Sequence, residues 1–374
     1  MERPLECRAS SAPERHSAAT GSPRRARPIA SARSPPPVPN ASLPPSPSSH
    51  DAPPVLHPSG VERPFRIAIN GYGRIGRCYL RALHEAGLAE RYRIVAINEP
   101  ADLASIAYLT RFDSTHGRFP GVVERSEREL IVDGHAIHVS HASTPEEVDW
   151  TALGLDLVVE CSGQYGGRRD LQRFIAAGCP RLLLSHPGNG AEDVDVTVVF
   201  GINEDELHGP ERLVSNASCT TNAVVPVLDC LHREIGIEQA LLTTLHSAMN
   251  DQPLIDGYHH ADLRRTRSAM QSIIPVSTGL ARGVERLLPQ LAGRVQAKAI
   301  RVPTPNVSAI DMVIDAVRPV TVDEVNALLA NAAAGPWRKL LAYTAAPHAS
   351  VDFNHDPHSA IIDGSQTRLA GQHM

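Results

Sequence analysis

The octet SNASCTTN, residues 215–222, sets a single thiol, Cys219, among small hydroxyl and amide side chains. Such side chains are the preferred N-caps of helices, and the run that follows, AVVPVLDCLHREIG at 223–236, has helical character. A helix beginning near Cys219 puts its sulfur over unpaired backbone N–H groups, which favour the thiolate. Gly236 stops that helix, and EQALLTTLHS then runs as a strand to His246. An antiparallel return brings an imidazole within reach of the thiol, as proton donor and acceptor for a nucleophile. Most cysteines are inert, and Cys230, on the apolar side of the same predicted helix, is read as core.

A second constellation opens the ordered chain. In FRIAINGYGRIGRCYLRALHEAG, Phe65, Ile67 and Ile69 read as a short buried strand. Ile75, Tyr79 or Leu80, Leu83 and Ala86 recur at helical spacing until Gly87. Between the two elements stand Gly71, Gly73, Arg74, Ile75 and Gly76, a G-x-G-x-x-G in the strand-to-helix setting that lets a pyrophosphate approach a helix N-terminus. A second strand, YRIVAIN, ends at Glu99, about 20 residues beyond the last glycine, where an acid meets the adenosine ribose. A carboxylate there repels a 2′-phosphate, so the cofactor expected is NAD rather than NADP.

These motifs need elements to hold them. LIVDGHAIHV reads as a hairpin turning at Asp133 and Gly134, LDLVVECSG as a buried strand, LQRFIAAG as a helix, RLLLSH as another strand, and DVTVVFGIN (195–203) as β-like. Ligands collect at the carboxyl ends of strands in a doubly wound sheet, so Ser162, Gly163 and Ser185 are candidates to line the nicotinamide side. The expected fold is α/β: a Rossmann-type doubly wound parallel sheet at 65–218, then an α+β catalytic domain at 219–374 with a mostly antiparallel sheet.

Composition bounds the rest. Of 374 residues 42% are hydrophobic and 21% charged, ordinary for a soluble globular chain, and no apolar run is long enough to span a membrane. The six cysteines, at 7, 78, 161, 179, 219 and 230, form no C-x-x-C pair, which argues against a disulfide framework or a zinc site and makes the reducing cytoplasm the expected location. Residues 1–64 carry 15 prolines and 8 Arg against 5 acidic residues, and read as a disordered extension or an over-extended start, with an organellar transit peptide as the alternative. The remainder holds 28 basic and 36 acidic residues, a balance that does not favour nucleic acid. His259, His260, His355 and His358 lack metal-ligand spacing, so no metal is expected.

INGYGRIGR, SNASCTTN, TTLHSA and RVPTPNVS, in this order, resemble the phosphorylating glyceraldehyde-3-phosphate dehydrogenase family over residues 65 to about 373. Within it, the segment from His246 to Val276 and VDFNHDPHSAI are most similar to the erythrose-4-phosphate dehydrogenase branch, as are Glu99 where the glycolytic enzyme has Asp and Met249 where it usually has Thr. The resemblance implies attack of Cys219 on the aldehyde of a sugar phosphate, with His246 handling the proton. It also implies phosphate binding by Arg301 and an anion site lined by Ser218, Thr220, Thr278 and Gly279. For erythrose 4-phosphate, water would release 4-phosphoerythronate, a precursor of pyridoxal phosphate; inorganic phosphate is the nucleophile in the glycolytic alternative. It implies a homotetramer, with Arg264, Arg265 and Arg267 in a loop used at subunit contacts near the cofactor; a solvated basic loop is an equal alternative for them. Family members also continue beyond the point matching Met374 through a strand, a nicotinamide-contacting Asn and a last helix. A truncated catalytic domain is therefore expected, and a catalytically dead NAD-binding interaction protein stands as a rival, as does a semialdehyde dehydrogenase on the same scaffold.

Overall fold

The computed structural model describes residues 63–260 and 262–373. The extension expected at 1–64 therefore lies, up to residue 62, outside the described residues. The first part of the chain runs β1 (Phe65–Asn70), α1 (Arg74–Glu85), β2 (Tyr92–Asn98), α2 (Leu103–Arg111), the two-residue strands β3 (Phe112–Asp113) and β4 (Gly117–Arg118), β5 (Val123–Arg125), β6 (Glu129–Val132), β7 (His135–Ser140), β8 (Leu157–Glu160), α3 (Arg168–Ala176), β9 (Leu182–Leu184), β10 (Val196–Thr197) and β11 (Leu213–Ser215). Nine of these strands form one sheet in the order β10-β11-β9-β8-β1-β2-β7-β6-β5, parallel from β10 to β7 and closed by the antiparallel β7-β6-β5 meander.

Strand alternation sends adjacent residues to opposite faces, and both faces here are covered, as a parallel sheet requires. Ile69 and Ile97 pack with Leu80, Ile106 and Ala107 under α1 and α2. Their neighbours Ala68 and Ala96 pack on the other side with Trp150, Leu171 and Phe174 under α3. Trp150 and Phe174 are fully buried, so truncating either to Ala costs about 3–5 kcal/mol. The hairpin at Asp133 and Gly134 turns with φ 49° and 81°, both positive as a two-residue primed turn demands.

Two expectations are corrected. The β-like run 195–203 holds strand only at Val196–Thr197. Asn203 takes the ladder's place, donating to Thr197 O at 2.9 Å and accepting from Val199 N–H at 2.9 Å, which pulls the chain out of the sheet. In α1 the buried face belongs to Gly76, Leu80 and Arg81; Ile75 is 50% exposed and Ala86 is also exposed. Ile75 sits one residue into the helix, beside the glycine turn, and faces outward rather than into the core.

The second part comprises α4 (Cys219–Ile235), β12 (Ile237–His246), β13 (Ile274–Val276), α5 (Leu280–Leu287), β14 (Val295–Arg301), β15 (Ala309–Ala316), α6 (Val322–Ala334), β16 (Leu341–Thr344) and β17 (Ala360–Asp363). Its four-stranded sheet runs β13-β14-β12-β15, antiparallel at both ends and parallel between β12 and β14; β16 and β17 pair in parallel apart from it. The core beneath is aliphatic, with Val224, Leu228 and Leu231 of α4 against Leu242, Val284, Val295 and Leu329. No helix among the described residues is long and apolar enough to cross a membrane.

Candidate active site

The strand that delivers the octet is β11, only three residues long and with too little pattern to single out in the sequence. Ala217 then takes φ 55°, a left-handed conformation that L-residues adopt at a cost, and the chain swings from sheet to helix within two residues. Ser218 caps α4, its Oγ accepting from Thr221 N–H at 3.0 Å, and Asn222 closes the elbow by donating to Asn216 O at 2.8 Å and Ser218 O at 3.0 Å. Cys219 is therefore the first helical residue, and it is exposed.

Cys219 Sγ lies 4.0 Å from His246 Nε2, at the end of β12. The ring's other nitrogen, Nδ1, is 2.8 Å from Ser247 O, so Nδ1 carries a proton and Nε2 faces the sulfur. His246 holds the Cys219 thiol below its ordinary range, helped by the backbone N–H groups of Thr220 and Cys219 at the helix start. The sulfur in turn raises His246, with the Ser247 carbonyl adding to the effect. The two shifts describe one coupled event, transfer of a proton from sulfur to imidazole.

The parallel register of β12 on β14 sets Arg301 beside His246. Arg301 is 5% exposed and donates to Asp251 Oδ1 at 2.6 Å, while Arg265 reaches the other oxygen of Asp251 at 3.1 Å. Asp251 went unnoticed in the sequence because its role depends on two arginines 14 and 50 positions away. It holds the Arg301 guanidinium, a planar cationic fork, beside His246. In the basic loop Arg267 also pairs, with Asp256 at 3.1 Å, so at least two of its three arginines are engaged within the chain.

Thr278 and Gly279 precede α5, and Thr278 Oγ1 accepts from Leu280 N–H at 3.2 Å. One turn on, a Cβ added to Gly283 would meet Thr221 Oγ1 at 2.7 Å, so α5 presses directly on the first turn of α4. That contact packs α5 against the N-terminal turn of α4, the turn that carries Ser218 and Thr220.

On the sheet side, β1 lies where the strand order reverses, between β2 and β8, and a pocket opens at their carboxyl ends. Gly71, Gly73, Asn98, Glu99, Ser143, Ser162, Gln164 and Tyr165 are among the residues that line it. Gly71 has φ 84°, and a side chain there would collide with Ser162 N at 2.4 Å. The Glu99 carboxylate accepts Tyr72 N–H at 2.7 Å, which fixes it at the pocket rim. Below runs a buried polar chain: Asn98 donates to Asn70 Oδ1 at 2.8 Å, and Asn70 donates to Glu160 Oε2 at 2.5 Å. Glu160 also accepts from Ser162 N–H at 2.8 Å and from its hydroxyl; burial pushes the carboxyl up against the pull of these bonds. A glycine cradle, a rim carboxylate and an aromatic wall at Tyr165 fit a dinucleotide.

Arg74 leaves the first turn of α1 to donate to Asn306 Oδ1 at 2.9 Å, joining the cofactor turn to the loop after β14. Gly163 has φ 70° and Ser185 N–H donates to Glu160 O at 3.0 Å, so both stand at strand ends as expected, although neither lines the pocket itself. Residues 65–168 match the family described as glyceraldehyde 3-phosphate dehydrogenase, NAD binding domain, and residues 218–374 match glyceraldehyde 3-phosphate dehydrogenase, C-terminal domain.

Proposed function

The chain belongs to the glyceraldehyde 3-phosphate dehydrogenase family, and from that premise we propose that it oxidises D-erythrose 4-phosphate to 4-phosphoerythronate with NAD through a thioester on Cys219. The observation that carries the chemistry is the 4.0 Å approach of Cys219 Sγ to His246 Nε2 at the exposed start of α4. Bound NAD accepts a hydride. The division of labour we propose gives residues 65–218 the cofactor and residues 219–374 the reaction.

The Cys219 thiolate adds to the aldehyde carbon, and the new oxyanion takes hydrogen bonds from the Cys219 backbone N–H and from protonated His246. His246 gives its proton to that oxyanion, and Nε2 takes it back as the C–H bond gives up its hydride, leaving a thioester. His246 releases that proton to solvent, and water then attacks the thioester with the neutral imidazole as base; the C–S bond breaks, the acid leaves and the thiolate returns. Arg301, steadied by Asp251, holds the terminal phosphate, and the paired starts of α4 and α5 offer Ser218, Thr220, Thr278 and Gly279 to a second anionic group. A homotetramer in the cytoplasm, serving pyridoxal phosphate synthesis, belongs to the same reading.

The four-carbon substrate draws its support from Met249, three residues beyond His246 and 47% exposed, where no hydroxyl is available to a phosphate. A second reading, oxidation of glyceraldehyde 3-phosphate with inorganic phosphate as acyl acceptor, is favoured by that same anion site at the two helix starts. Following NADH absorbance with each aldehyde, with and without phosphate, separates them. Higher kcat/KM for erythrose 4-phosphate and a rate indifferent to phosphate support the first reading; the opposite pattern establishes the second.

A further inference from the structure

Residues 302–308 join β14 to β15 alongside His246, and their geometry is unusual at one point. Val307 has φ 61°, left-handed in a β-branched residue for which that region is strongly disfavoured. Strain of this kind persists only where the surroundings over-determine it. Here the surroundings are the end of β12: Val302 N–H donates to His246 O at 2.9 Å and Ala248 N–H donates to Thr304 O at 2.8 Å.

What the strained residue delivers is the next side chain. Ser308 Oγ accepts from Ser247 N–H at 3.1 Å and lies 3.5 Å from Ser247 Oγ. The peptide on the N-terminal side of Ser247 is thus held by Ser308, and the peptide on its C-terminal side by the Thr304 carbonyl. Both dihedrals of Ser247 are pinned, and with them the direction of the Ser247 carbonyl that receives His246 Nδ1–H at 2.8 Å.

We propose that Ser308 is a positioning residue for His246: by fixing Ser247 it dictates which ring nitrogen keeps its proton and aims Nε2 at Cys219. The assignment deepens the reading of Cys219 and His246 as a working pair and rests on it. The charged and titratable groups acting on the ring are Cys219 from α4 and Arg301 from β14, the latter already paired with Asp251. Neither touches Ser247 in a hydrogen bond, so the Ser308 hydroxyl is a separate lever on the same imidazole.

The experiment is the pH dependence of iodoacetamide alkylation, followed by mass spectrometry on the Cys219 peptide of the full chain, for the parent, Ser308→Ala and Ser308→Thr. It needs no substrate. A parent inflection at the value of an ordinary thiol removes the Cys219 and His246 pair itself. Given a depressed parent inflection, Ser308→Ala is expected to move it upward and to slow alkylation at pH 7 by roughly threefold to tenfold, the range in which one internal hydrogen bond acts. Ser308→Thr, which keeps the hydroxyl, is expected to restore it. A merely structural serine lowers the melting temperature and leaves the inflection in place, and that outcome overturns the proposal. Should Ser308→Ala fail to fold, Ser308→Cys keeps the size of the side chain but replaces the hydroxyl with a weak acceptor; an upward displacement on the Cys219 peptide supports the assignment and an unmoved inflection overturns it.

Discussion

The cofactor pocket and the thiol pocket are built on opposite plans. At the first, the phosphate turn is one consecutive stretch: strand, glycine turn and helix follow within Phe65–Glu85, and an acid stands after the next strand. Backbone shape does most of the work there, with Gly71 at φ 84° against Ser162. At the second, Cys219, His246, Asp251, Arg301 and Ser308 come from one helix, one strand and three loops or strand ends, and side chains do the work. A site made of backbone is broken by adding atoms, and a site made of side chains by removing them. The two plans also make the sites separable, because no single residue described above serves both.

The sharpest test of that separation is Cys219→Ser. A hydroxyl in place of the thiol has no accessible anion near neutral pH, so turnover is expected to fall by about 10³-fold or more. NAD affinity, measured by fluorescence titration, should stay within a factor of about two, since the pocket is built around β1, β2 and β8. Retained turnover would sink the assignment of the nucleophile; lost NAD binding would show that the two sites are one. The same variant addresses the rival reading of a dead NAD-binding protein, for which the parent itself shows cofactor affinity without turnover.

Gly71→Ala inverts the comparison and should have the next largest effect. The methyl group meets Ser162 N at 2.4 Å in a left-handed conformation that itself costs about 1–2 kcal/mol for an L-residue. NAD is expected to bind at least about tenfold more weakly. Alkylation of Cys219 should be unchanged. If the thiol's reactivity fell with the cofactor affinity, the sites would be coupled, and the Arg74 hydrogen bond to Asn306 offers a route.

This contrast also explains how much could be read from the chain. Consecutive residues announce themselves, so β1, α1, β2, the hairpin at Asp133, the start of α4 at Cys219 and the strand ending at His246 all stand where periodicity and capping put them. Glu99 falls at the rim for the same reason. Long-range partnership leaves no local mark. Asp251 looks like any loop acid until β14 lays Arg301 next to it, and Ser308 like any hydroxyl until Val307 turns it toward Ser247. The three-residue β11 is shorter than any periodicity can show, and Asn203's capture of Thr197 depends on a loop closing back over six residues. Ile75 misled in the other direction, its helical spacing suggesting core where the structure exposes it.

Within the thiol pocket, pH gives a finer cut. The Cys219 group is lowered and His246 raised, chiefly by each other, so the ion pair occupies the window between the depressed thiol value and the elevated imidazole value. Thiolate stability contributed by Cys219 is present above its unfolded value, about 8.5, and is lost as pH falls through the lower folded one. For His246 the sign reverses: its contribution is present below about 6.5 and is lost as pH rises through the raised value. His246→Gln removes the partner, and the alkylation inflection of Cys219 should climb toward that of an ordinary thiol. An inflection that stayed low would assign the activation to the helix start alone.

The smallest effect expected is at Gly283, where two opposing contributions nearly cancel. A glycine inside a helix is less favourable than alanine by about 0.8–1.0 kcal/mol, so Gly283→Ala should help α5. Against this, the methyl group arrives 2.7 Å from Thr221 Oγ1, which cannot simply rotate away because it lies 2.7 Å from the hydroxyl of Ser218, the N-cap of α4. Moving Thr221 loosens a cap worth about 1 kcal/mol and spreads the two helix starts. Stability should therefore change by less than about 1 kcal/mol in either direction. The response belongs in the anion site: KM for the sugar phosphate is expected to rise by about threefold to tenfold, with kcat and NAD affinity little changed. A melting temperature that rose with an unaltered KM would mean that Thr278 and Gly279 stand too far from Ser218 and Thr220 to share a ligand, leaving Arg301 as the phosphate's principal anchor.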